Sequence, residues 1–583
     1  MAQQLHAQSR RDDQNERNSL VHGPSSPPLW HKTLAELIQE QKKKYGEREA
    51  VLVPWQSARL SYAKLEERSA LVAKALLECG IRKGQTVGIM AGNCYQYIEI
   101  FLGAARIGCP VAVFNNTFSP QELEGMIALT GCRALFIAAE VGRRSLAEHV
   151  RATTESLGSN SSLRHIVLLG TPSRNQPGAS FRSYNDFLHS SQSIFVTDNT
   201  LRRAEQKVTS SDVVNLQFTS GTTGLPKAAA LTQDNIINNA RYVGLAMGLT
   251  ENDVVCCPPP LFHCFGLVIG FLAAFCSGSK IVFPSAAFDV NSTLDSMAEE
   301  KATALLGVPA MLLSLLNAQK TSPRRIDTVR TGVAAASPVP PSLMARLESE
   351  LGIREVLIAY GMTETSPVTF ITTPQDDRDS RFNTVGRVLP HTGAKIVNAA
   401  GEVVGRGVRG EICTSGFALQ KGYWNNEAQT QHVMRKGDDG VVWMHTGDEG
   451  FLDDAGYCHV TGRIKDIIIR GGENISPAEI EDCLLRHPGV KECCVVGLDD
   501  PRYGEVVSCF LGGSEGPRPG EQELRDWVTS RLHRIKAPQH IFWLGDEGVG
   551  QELPKTASGK YMKHLIRAHG NAMLRKQKNL AKI

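Results

Sequence analysis

LQFTSGTTGLPKAAALT, residues 216–232, leads from a strand pattern of alternating polar and apolar residues into a loop of small residues that ends in a lysine. Gly221 and Gly224 permit positive φ, and Pro226 ends regular structure. Backbone N–H groups on such a loop, together with the cation of Lys227, can hold phosphate oxygens. The loop adds the hydroxyl groups of Thr219, Ser220, Thr222 and Thr223. Composition alone favours an ordinary polar surface loop, so the assignment depends on the rest of the chain.

The loop is not a Walker P-loop. The pattern GxxxxGK[ST] requires Gly where Pro226 stands and Ser or Thr where Ala228 stands. A kinase-like or ATPase function of that type therefore loses its main support.

Strand and helix patterns alternate in the chain before this loop. Residues 85–92, 110–115 and 133–139 predict strands, and residues 95–108 predict an amphipathic helix. SPQE at residues 119–122 has the form of a helix capping box with proline at the first helical position. This alternation predicts parallel sheets covered by helices, with ligand sites at the carboxyl ends of the strands.

The pattern changes towards the C-terminus. Further strands are predicted at residues 280–284, 302–309 and 355–361. From about residue 383, short strands separated by glycines indicate a small β-rich subdomain, and a new α+β pattern begins after Lys465. The predicted fold is α/β, with a large N-terminal domain of parallel α/β sheets plus the β-rich subdomain, and a small mobile α+β C-terminal domain. The predicted divisions are a disordered segment (1–29), the large domain (30–464), the swivelling small domain (465–575) and a tail (576–583).

Composition excludes several classes of function. The net charge of +3, from 63 basic and 60 acidic residues, offers no strong field for nucleic acid. The 14 cysteines contain no CxxC pair, which favours buried free thiols over metal or disulfide roles. The longest apolar run, residues 265–276, falls short of the roughly 20 residues that span a bilayer, so we expect no transmembrane segment. We also expect no secretory signal, and hence an intracellular protein.

Further polar clusters complement the Gly-rich loop. GVAAASP at 332–338 offers small residues for a flat wall, and YGMTE at 360–364 offers an aromatic ring and a carboxylate. HTGDEG at 445–450 and TGRIKD at 461–466 offer an Asp and an Arg that can bind a diol, and LPKTASGK at 553–560 holds a second lysine. Each cluster alone is typical of a turn, but together they supply contacts for a base, a ribose, phosphates and a cation.

These motifs, in this order, resemble those of the adenylate-forming (AMP-binding) enzymes over roughly residues 30–570. The stretches AYGMTETSPVTF and VGRVLPHTGAKI look most like medium-chain acyl-CoA synthetases of the acyl-CoA synthetase family member 2 type and fungal secondary-metabolite acyl-CoA ligases. The resemblance implies an ATP-dependent acid–thiol ligase. With Mg²⁺ it would join a small carboxylic acid to AMP and then pass the acyl group to coenzyme A.

The resemblance also implies roles for individual residues. Tyr360 would stack on adenine, Asp448 and Arg463 would hold the ribose, and Glu364 would hold Mg²⁺. Lys560 would bridge the substrate carboxylate and the α-phosphate. The catalytic set is Lys560, Thr363, Glu364 and His263, the last gating the acyl pocket. The ATP and AMP contacts are Thr219, Ser220, Gly221, Thr222, Thr223, Gly224, Lys227, Ala335, Ala336, Ser337, Tyr360, Gly361, Met362, Thr363, Asp448, Arg463 and Lys560.

By the same resemblance, Lys465 is the hinge on which the small domain swivels between half-reactions. Arg470, Gly471, Gly472 and Glu473 would line the tunnel for the pantetheine arm of coenzyme A. One departure is visible, because Ala228 stands where the family usually has Gly after the loop lysine. A methyl group is tolerable there if φ is negative.

Three alternatives stay open from the sequence. The chain could be a stand-alone adenylating enzyme for an amino acid or an aryl acid, a luciferase-like oxygenase, or a catalytically silent nucleotide-binding relative. Amino-acid-activating members place an Asp near the PLFHCFG stretch, and residues 261–266 contain no carboxylate. The apolar walls predicted at 262–270, 332–335 and 362–365 favour a medium-chain, branched or hydroxylated aliphatic acid.

The final tripeptide, Ala581–Lys582–Ile583, follows the small–basic–aliphatic pattern of the S-K-L peroxisomal address. We expect a peroxisomal import receptor to recognise it, which would place the protein in the peroxisome. Without import, a cytoplasmic location is expected.

Overall fold

The structure is a computed structural model that describes residues 18–157, 162–170, 181–189, 196–219, 226–437, 439–513, 517–555 and 561–580. Several residues with predicted roles lie outside these ranges, namely Ser220, Gly221, Thr222, Thr223, Gly224, Lys560 and the tripeptide 581–583. Their roles stay predictions.

The first sheet has eight strands and contains both strands that flank the Gly-rich loop. Six consecutive strands are parallel, and the last two are antiparallel. The strands predicted at 85–92, 110–115 and 133–139 are confirmed as its core. In spatial order the strands are Arg182–Ser183, His165–Leu169, Ala134–Ala138, Val87–Met90, Val111–Val113, Val213–Thr219, Lys227–Thr232 and Gly422–Tyr423.

The second sheet has nine strands, of which the six central ones are parallel. Antiparallel strands close both edges. The strands predicted at 280–284, 302–309 and 355–361 are confirmed within it. In spatial order the strands are Arg387–Val388, Val368–Ile371, Glu355–Gly361, Thr331–Ala335, Ala304–Gly307, Val254–Cys256, Lys280–Val282, Glu49–Val53 and Ala58–Ser61.

The third sheet is antiparallel and corresponds to the predicted β-rich subdomain. The disorder predicted for residues 1–29 is wrong for the described residues from Asn18 onwards. Leu20–His22 pairs with Thr392–Val397, because backbone pairing and the burial of Ser19 compensate for a mostly polar sequence. The strands are Leu20–His22, Thr392–Val397, Gly410–Gly416, Val442–Leu452, Met434–Lys436 and Cys458–Arg463.

The fourth sheet belongs to the C-terminal part of the chain, and its helices pack into separate apolar clusters. Its strands begin just after Lys465, although the domain limits themselves stay predictions. The strands are Glu473–Ile475, Ile468–Arg470, Gly504–Gly513, Val490–Asp500 and His540–Trp543. A two-stranded ribbon, Glu140–Val141 with Arg144–Ser145, stands apart. The predicted α/β fold class is confirmed.

Helices and the two parallel sheets share one large buried apolar cluster. The predicted capping box is present, since Glu122 N–H donates to Ser119 Oγ and Ser119 N–H donates to Glu122 Oε2. Within the described residues, no helix is long and apolar enough to cross a membrane. The α-helices are Leu34–Tyr45, Tyr62–Glu78, Tyr95–Arg106, Pro120–Thr130, Ala147–Glu155, Tyr184–His189, Asp198–Glu205, Gln233–Ala246, Ala273–Ser277, Val290–Glu299, Pro309–Thr321, Pro341–Leu351, Arg378–Asn383, Glu427–Val433, Pro477–Leu485, Glu521–Thr529 and Lys563–Leu580, with a π-helix at Phe265–Leu272. The 3₁₀ turns are Pro54–Gln56, Thr363–Thr365, Ile464–Asp466 and Arg534–Lys536.

Gly332 provides a test of how closely the central strands pack. A Cβ atom at Gly332 would lie 2.1 Å from the Leu305 carbonyl oxygen of the neighbouring strand. Gly332→Ala should therefore destabilise the protein by about 1–3 kcal/mol and lower its thermal midpoint. The control Gly125→Ala lies in a helix where an added Cβ meets no heavy atom within 4 Å, so it should stabilise by about 0.5–1 kcal/mol. Equal midpoints for the two variants would contradict this packing.

Candidate active site

The strands on either side of the Gly-rich loop form an antiparallel pair. Thr219 and Lys227 stand opposite each other in this pair, at the end where the loop connects the strands. Ala228 is buried within the second strand, opposite Phe218, and its φ is not positive. The backbone therefore accommodates the methyl group at the position where the related enzymes usually have Gly.

Lys227 begins a chain of contacts that leads to the predicted metal ligand. Its Nζ donates to Gln429 Oε1 at 2.6 Å and lies 5.3 Å from the centroid of the Tyr423 ring. The Tyr423 hydroxyl donates to Glu364 Oε1 at 2.7 Å. Because Glu364 is only 5% exposed, this hydrogen bond offsets part of the cost of burying its carboxylate. Lys227 and Glu364 thus contact the same tyrosine.

Tyr360, Asp448 and Arg463 form a second cluster. The Tyr360 hydroxyl donates to Asp448 Oδ2 at 2.7 Å, and Arg463 Nε lies 3.4 Å from Asp448 Oδ1. Asp448 and Arg463 stand opposite each other on antiparallel strands. Burial, and then the Asp448 charge, raises the pKa of Tyr360 well above its usual range. The tyrosine therefore stays a neutral donor and leaves the negative charge on Asp448.

The small-residue segment lies on the strand next to Tyr360. Ala335 is buried and stands opposite Ala359 in the parallel pair, so residues 335–337 continue beside the end of the tyrosine strand. Ala336 has φ of +76°, a left-handed conformation that costs a non-glycine residue roughly 1–2 kcal/mol. Such strain is concentrated at functional sites. Ala336 and Ser337 therefore lie beside the Tyr360 strand, and their contact with a base stays a prediction.

Gly361, Met362 and Thr363 connect the tyrosine strand to Glu364. A Cβ at Gly361 would lie 1.9 Å from the Pro367 carbonyl oxygen, so only glycine fits this turn. The Met362 N–H donates to Thr365 Oγ1 at 3.1 Å, at the start of a single 3₁₀ turn over Thr363–Thr365. This turn fixes the separation of Tyr360 and Glu364.

His263 lies in a segment that approaches Glu364. Its Nδ1 accepts the Phe265 N–H at 3.1 Å, at the start of the π-helix Phe265–Leu272. Burial, and then the Glu364 charge, raises the pKa of the adjacent Cys264 thiol. The segment of His263 therefore lies near Glu364, and the gating role of the histidine stays a prediction.

Lys465 is close to both clusters. Burial lowers its pKa most, followed by the positive charge of Arg463, and Lys227 lowers it further. Asp466 and Asp448 act in the opposite direction. The predicted hinge thus lies beside the predicted ribose and phosphate contacts.

The residues predicted to bind coenzyme A form the tip of one β-hairpin. Arg470 pairs with Glu473 across it, and Gly471 and Gly472 take φ of +60° and +92°. The Arg470 guanidinium lies 5.1 Å from the Tyr503 ring centroid, and the Gly471 N–H donates to the Tyr503 carbonyl oxygen at 2.8 Å. The Arg470 guanidinium also donates to the carbonyl oxygen of Ile535, in the 3₁₀ turn Arg534–Lys536, so these contacts of the hairpin tip stay within the C-terminal part of the chain.

Sequence reasoning missed three residues of the site: Gln420, Tyr423 and Gln429. Tyr423 is held by a two-residue strand that pairs with Ala229–Ala230, a contact between distant segments that no local pattern reveals. Gln420 is 1% exposed, and neither amide atom has a partner among the described residues. The sequence GYW at 422–424 gives only a weak signal for a site residue. Its role becomes visible from the pairing of Gly422–Tyr423 with Ala229–Ala230.

Comparisons with known proteins show the family to which this chain belongs. The model of the AMP-binding enzyme family matches residues 38–424, and that of the AMP-binding enzyme C-terminal domain matches residues 479–560. The chain is 46% identical to the acyl-CoA ligase sidI of Beauveria bassiana, over 98% of this chain and 97% of that protein. It is 34% identical to the mitochondrial medium-chain acyl-CoA ligase ACSF2 of Danio rerio, over 94% and 90%.

A solved structure shares the fold. The structure of the anthranilate CoA ligase AuaEII in complex with anthranoyl-AMP superposes with a TM-score of 0.82 at 23% identity, over 94% of this chain and 99% of that one.

Asp448 provides a direct test of the second cluster. Asp448→Asn keeps the acceptor for Tyr360 but loses the charge, so ATP binding should weaken by about 1.5–3 kcal/mol. Wild-type protein should prefer ATP to 3′-deoxy-ATP, and the variant should lose that preference, as measured by calorimetry. Asp453→Asn, which alters a carboxylate paired with His459 in the same sheet, is the control and should bind normally. An unchanged preference in Asp448→Asn would contradict the ribose contact.

Proposed function

Because the chain belongs to the AMP-binding enzyme family and is an AMP-forming acyl-CoA ligase, we propose a specific assignment of its residues and of its acid. The observation that supports the assignment is the pair of contacts Tyr423–Glu364 and Tyr360–Asp448, which involve residues proposed to contact the metal, the base and the ribose. ATP and coenzyme A follow from the family. The high identity to fungal acyl-CoA ligases supports a place in fungal secondary metabolism.

The first half-reaction needs no nucleophile from the protein. A carboxylate oxygen of the acid bonds to the α-phosphorus of ATP, the bond to the β-phosphate oxygen breaks, and pyrophosphate leaves. In the second half-reaction the thiol of coenzyme A loses its proton and attacks the acyl carbon, and AMP leaves with the electron pair. The enzyme must position anions and neutralise charge. The 14 cysteines are free, and most are buried, so none has the exposed thiolate of a catalytic nucleophile.

Glu364 is the proposed Mg²⁺ ligand. One of its carboxylate oxygens accepts the Tyr423 hydroxyl, and the other can bind a hard cation, which suits Mg²⁺. When bound, Mg²⁺ neutralises phosphate charge. Lys227 and Lys560 supply the protein's own cations, Lys227 toward the β- and γ-phosphates and Lys560 toward the α-phosphate and the substrate carboxylate.

The acid substrate is proposed to be a medium-chain, branched or hydroxylated aliphatic acid. Phe262, Phe265 and Leu267 of the proposed pocket wall are almost fully buried. The segment 332–335, also proposed for the wall, contributes only Gly, Val and Ala. No carboxylate within residues 261–266 is available to hold a substrate ammonium. Apolar residues in this segment suit an acyl chain better than a charged amino acid.

A panel of acids tests this substrate class. Acid-dependent pyrophosphate release should be fastest with octanoate-like, branched and hydroxylated aliphatic acids, and slower with amino acids and aryl acids. Preference for an amino acid or an aryl acid would favour a stand-alone adenylating enzyme of that class. No release with any acid, despite ATP binding, would favour a catalytically silent relative.

Substitution of Lys560 should distinguish the two half-reactions. Lys560→Ala should abolish pyrophosphate release but leave thioester formation from supplied acyl-AMP, because the lysine acts on the charge that develops at the α-phosphate. Lys555→Ala removes a nearby lysine whose Nζ lies 2.6 Å from Glu492 Oε1, and it should retain both steps. Equal loss of both steps in a folded Lys560→Ala protein would refute the role of Lys560.

A further inference from the structure

We propose that Glu411, Cys413 and His445 form a binding site for one Zn²⁺-like transition-metal ion, and that occupancy of this site weakens nucleotide binding. One donor atom from each residue lies within 4.8 Å of the other two. The three residues have no part in the adenylation chemistry described above.

Strand pairing holds the three donors together. Cys413 and His445 stand directly opposite each other on antiparallel strands, and Cys413 Sγ lies 3.4 Å from His445 Nδ1. Glu411 is two residues from Cys413, so its side chain emerges on the same face of the strand. A register shift between these two residues brings Glu411 Oε2 within 2.7 Å of His445 Nδ1.

The donor set suits Zn²⁺ better than Mg²⁺ or Ca²⁺. Imidazole nitrogen, thiolate and carboxylate are the ligands of tetrahedral zinc sites, and three protein ligands leave a fourth position for water. Metal–ligand bonds of about 2.0–2.3 Å require donors roughly 3.3–3.8 Å apart. The 3.4 Å between Cys413 Sγ and His445 Nδ1 already lies in this range. A small rotation of the Glu411 carboxylate would lengthen the 2.7 Å between Glu411 Oε2 and His445 Nδ1 into the same range.

The surroundings set the conditions for binding. Burial, and then the Glu411 charge, raises the pKa of Cys413 to about 12. Lys395 and Arg435, on the two flanking strands, act in the opposite direction. Metal binding releases the proton of the Cys413 thiol, because the thiolate is the form that ligates a metal ion. The side chains of His445 and Glu411 are 14% and 23% exposed, which gives ions a path from solvent.

The site is linked to the nucleotide contacts through Glu411. Glu411 Oε1 accepts the Gly447 N–H at 3.0 Å, and Gly447 precedes Asp448 in the chain. Asp448 N–H donates to Thr446 Oγ1 at 3.1 Å in the same turn. An ion that draws the Glu411 carboxylate towards Cys413 competes with the Gly447 hydrogen bond and loosens the turn that holds Asp448. The proposed effect of the metal on nucleotide binding rests on the proposed ribose contact of Asp448.

Co²⁺ is the probe for the site, because thiolate ligation gives it a charge-transfer absorption band. The full-length protein should bind one Co²⁺ with this band, and Zn²⁺ should displace it. Cys413→Ser should lose the band, whereas Cys458→Ser, a change at a buried cysteine in the same sheet, should keep it. Glu411→Gln keeps an acceptor for Gly447 but loses the anionic ligand, so affinity should fall about ten- to a hundredfold.

The proposed site is overturned if folded wild-type protein shows no band with Co²⁺. It is also overturned if the band persists in Cys413→Ser. The link to the nucleotide is tested by AMP affinity, which should fall several-fold with Co²⁺ in wild type and stay constant in Cys413→Ser. If wild-type protein binds Co²⁺ with the band but its AMP affinity does not change, the link is overturned. The band does not depend on nucleotide, so failure of the proposed ribose contact leaves this metal test intact.

Discussion

The hydrogen bond between the Tyr360 hydroxyl and the Asp448 carboxylate is the contact on which the site depends. Tyr360 lies near the end of a parallel strand of the nine-stranded mixed sheet, and Asp448 belongs to the antiparallel sheet. Burial prevents the tyrosine from ionising, so the bond always runs from hydroxyl to carboxylate. Arg463, opposite Asp448 on the next strand, offsets the buried negative charge. The hydrogen bond thereby joins the nine-stranded sheet to the antiparallel sheet.

A similar contact joins the eight-stranded sheet to the nine-stranded sheet. Tyr423 comes from the edge of the eight-stranded sheet and donates to Glu364, which follows the Tyr360 strand by one 3₁₀ turn. Lys227 lies over the same tyrosine ring, so a cation, an aromatic ring and a carboxylate succeed one another within one region. The Tyr423 ring lies between the Lys227 cation, which is proposed for phosphates, and the Glu364 carboxylate, which is proposed for a metal cation. The two charges therefore do not pair directly with each other. The site therefore exists only where the three sheets converge.

Much of this could be predicted from sequence because the signals are local. The capping box at Ser119 and the strands at Val87–Met90 and Glu355–Gly361 follow from patterns within a few residues. Tyr423 could not be predicted, since its role depends on a two-residue strand that pairs with a distant segment. Leu20–His22 was missed because three residues in a polar segment gain order only from the partner strand. Glu411 and His445 are separated by 34 positions, and only the strand register brings them together.

Isotope transfer from the acid tests the central claim most directly. The claim is that the substrate carboxylate attacks the α-phosphorus of ATP in a site built without a protein nucleophile. With an aliphatic acid labelled with ¹⁸O in its carboxylate, turnover in the presence of coenzyme A should place one ¹⁸O atom in the AMP and none in the pyrophosphate. Label in pyrophosphate or phosphate, or formation of ADP in place of AMP, would contradict it.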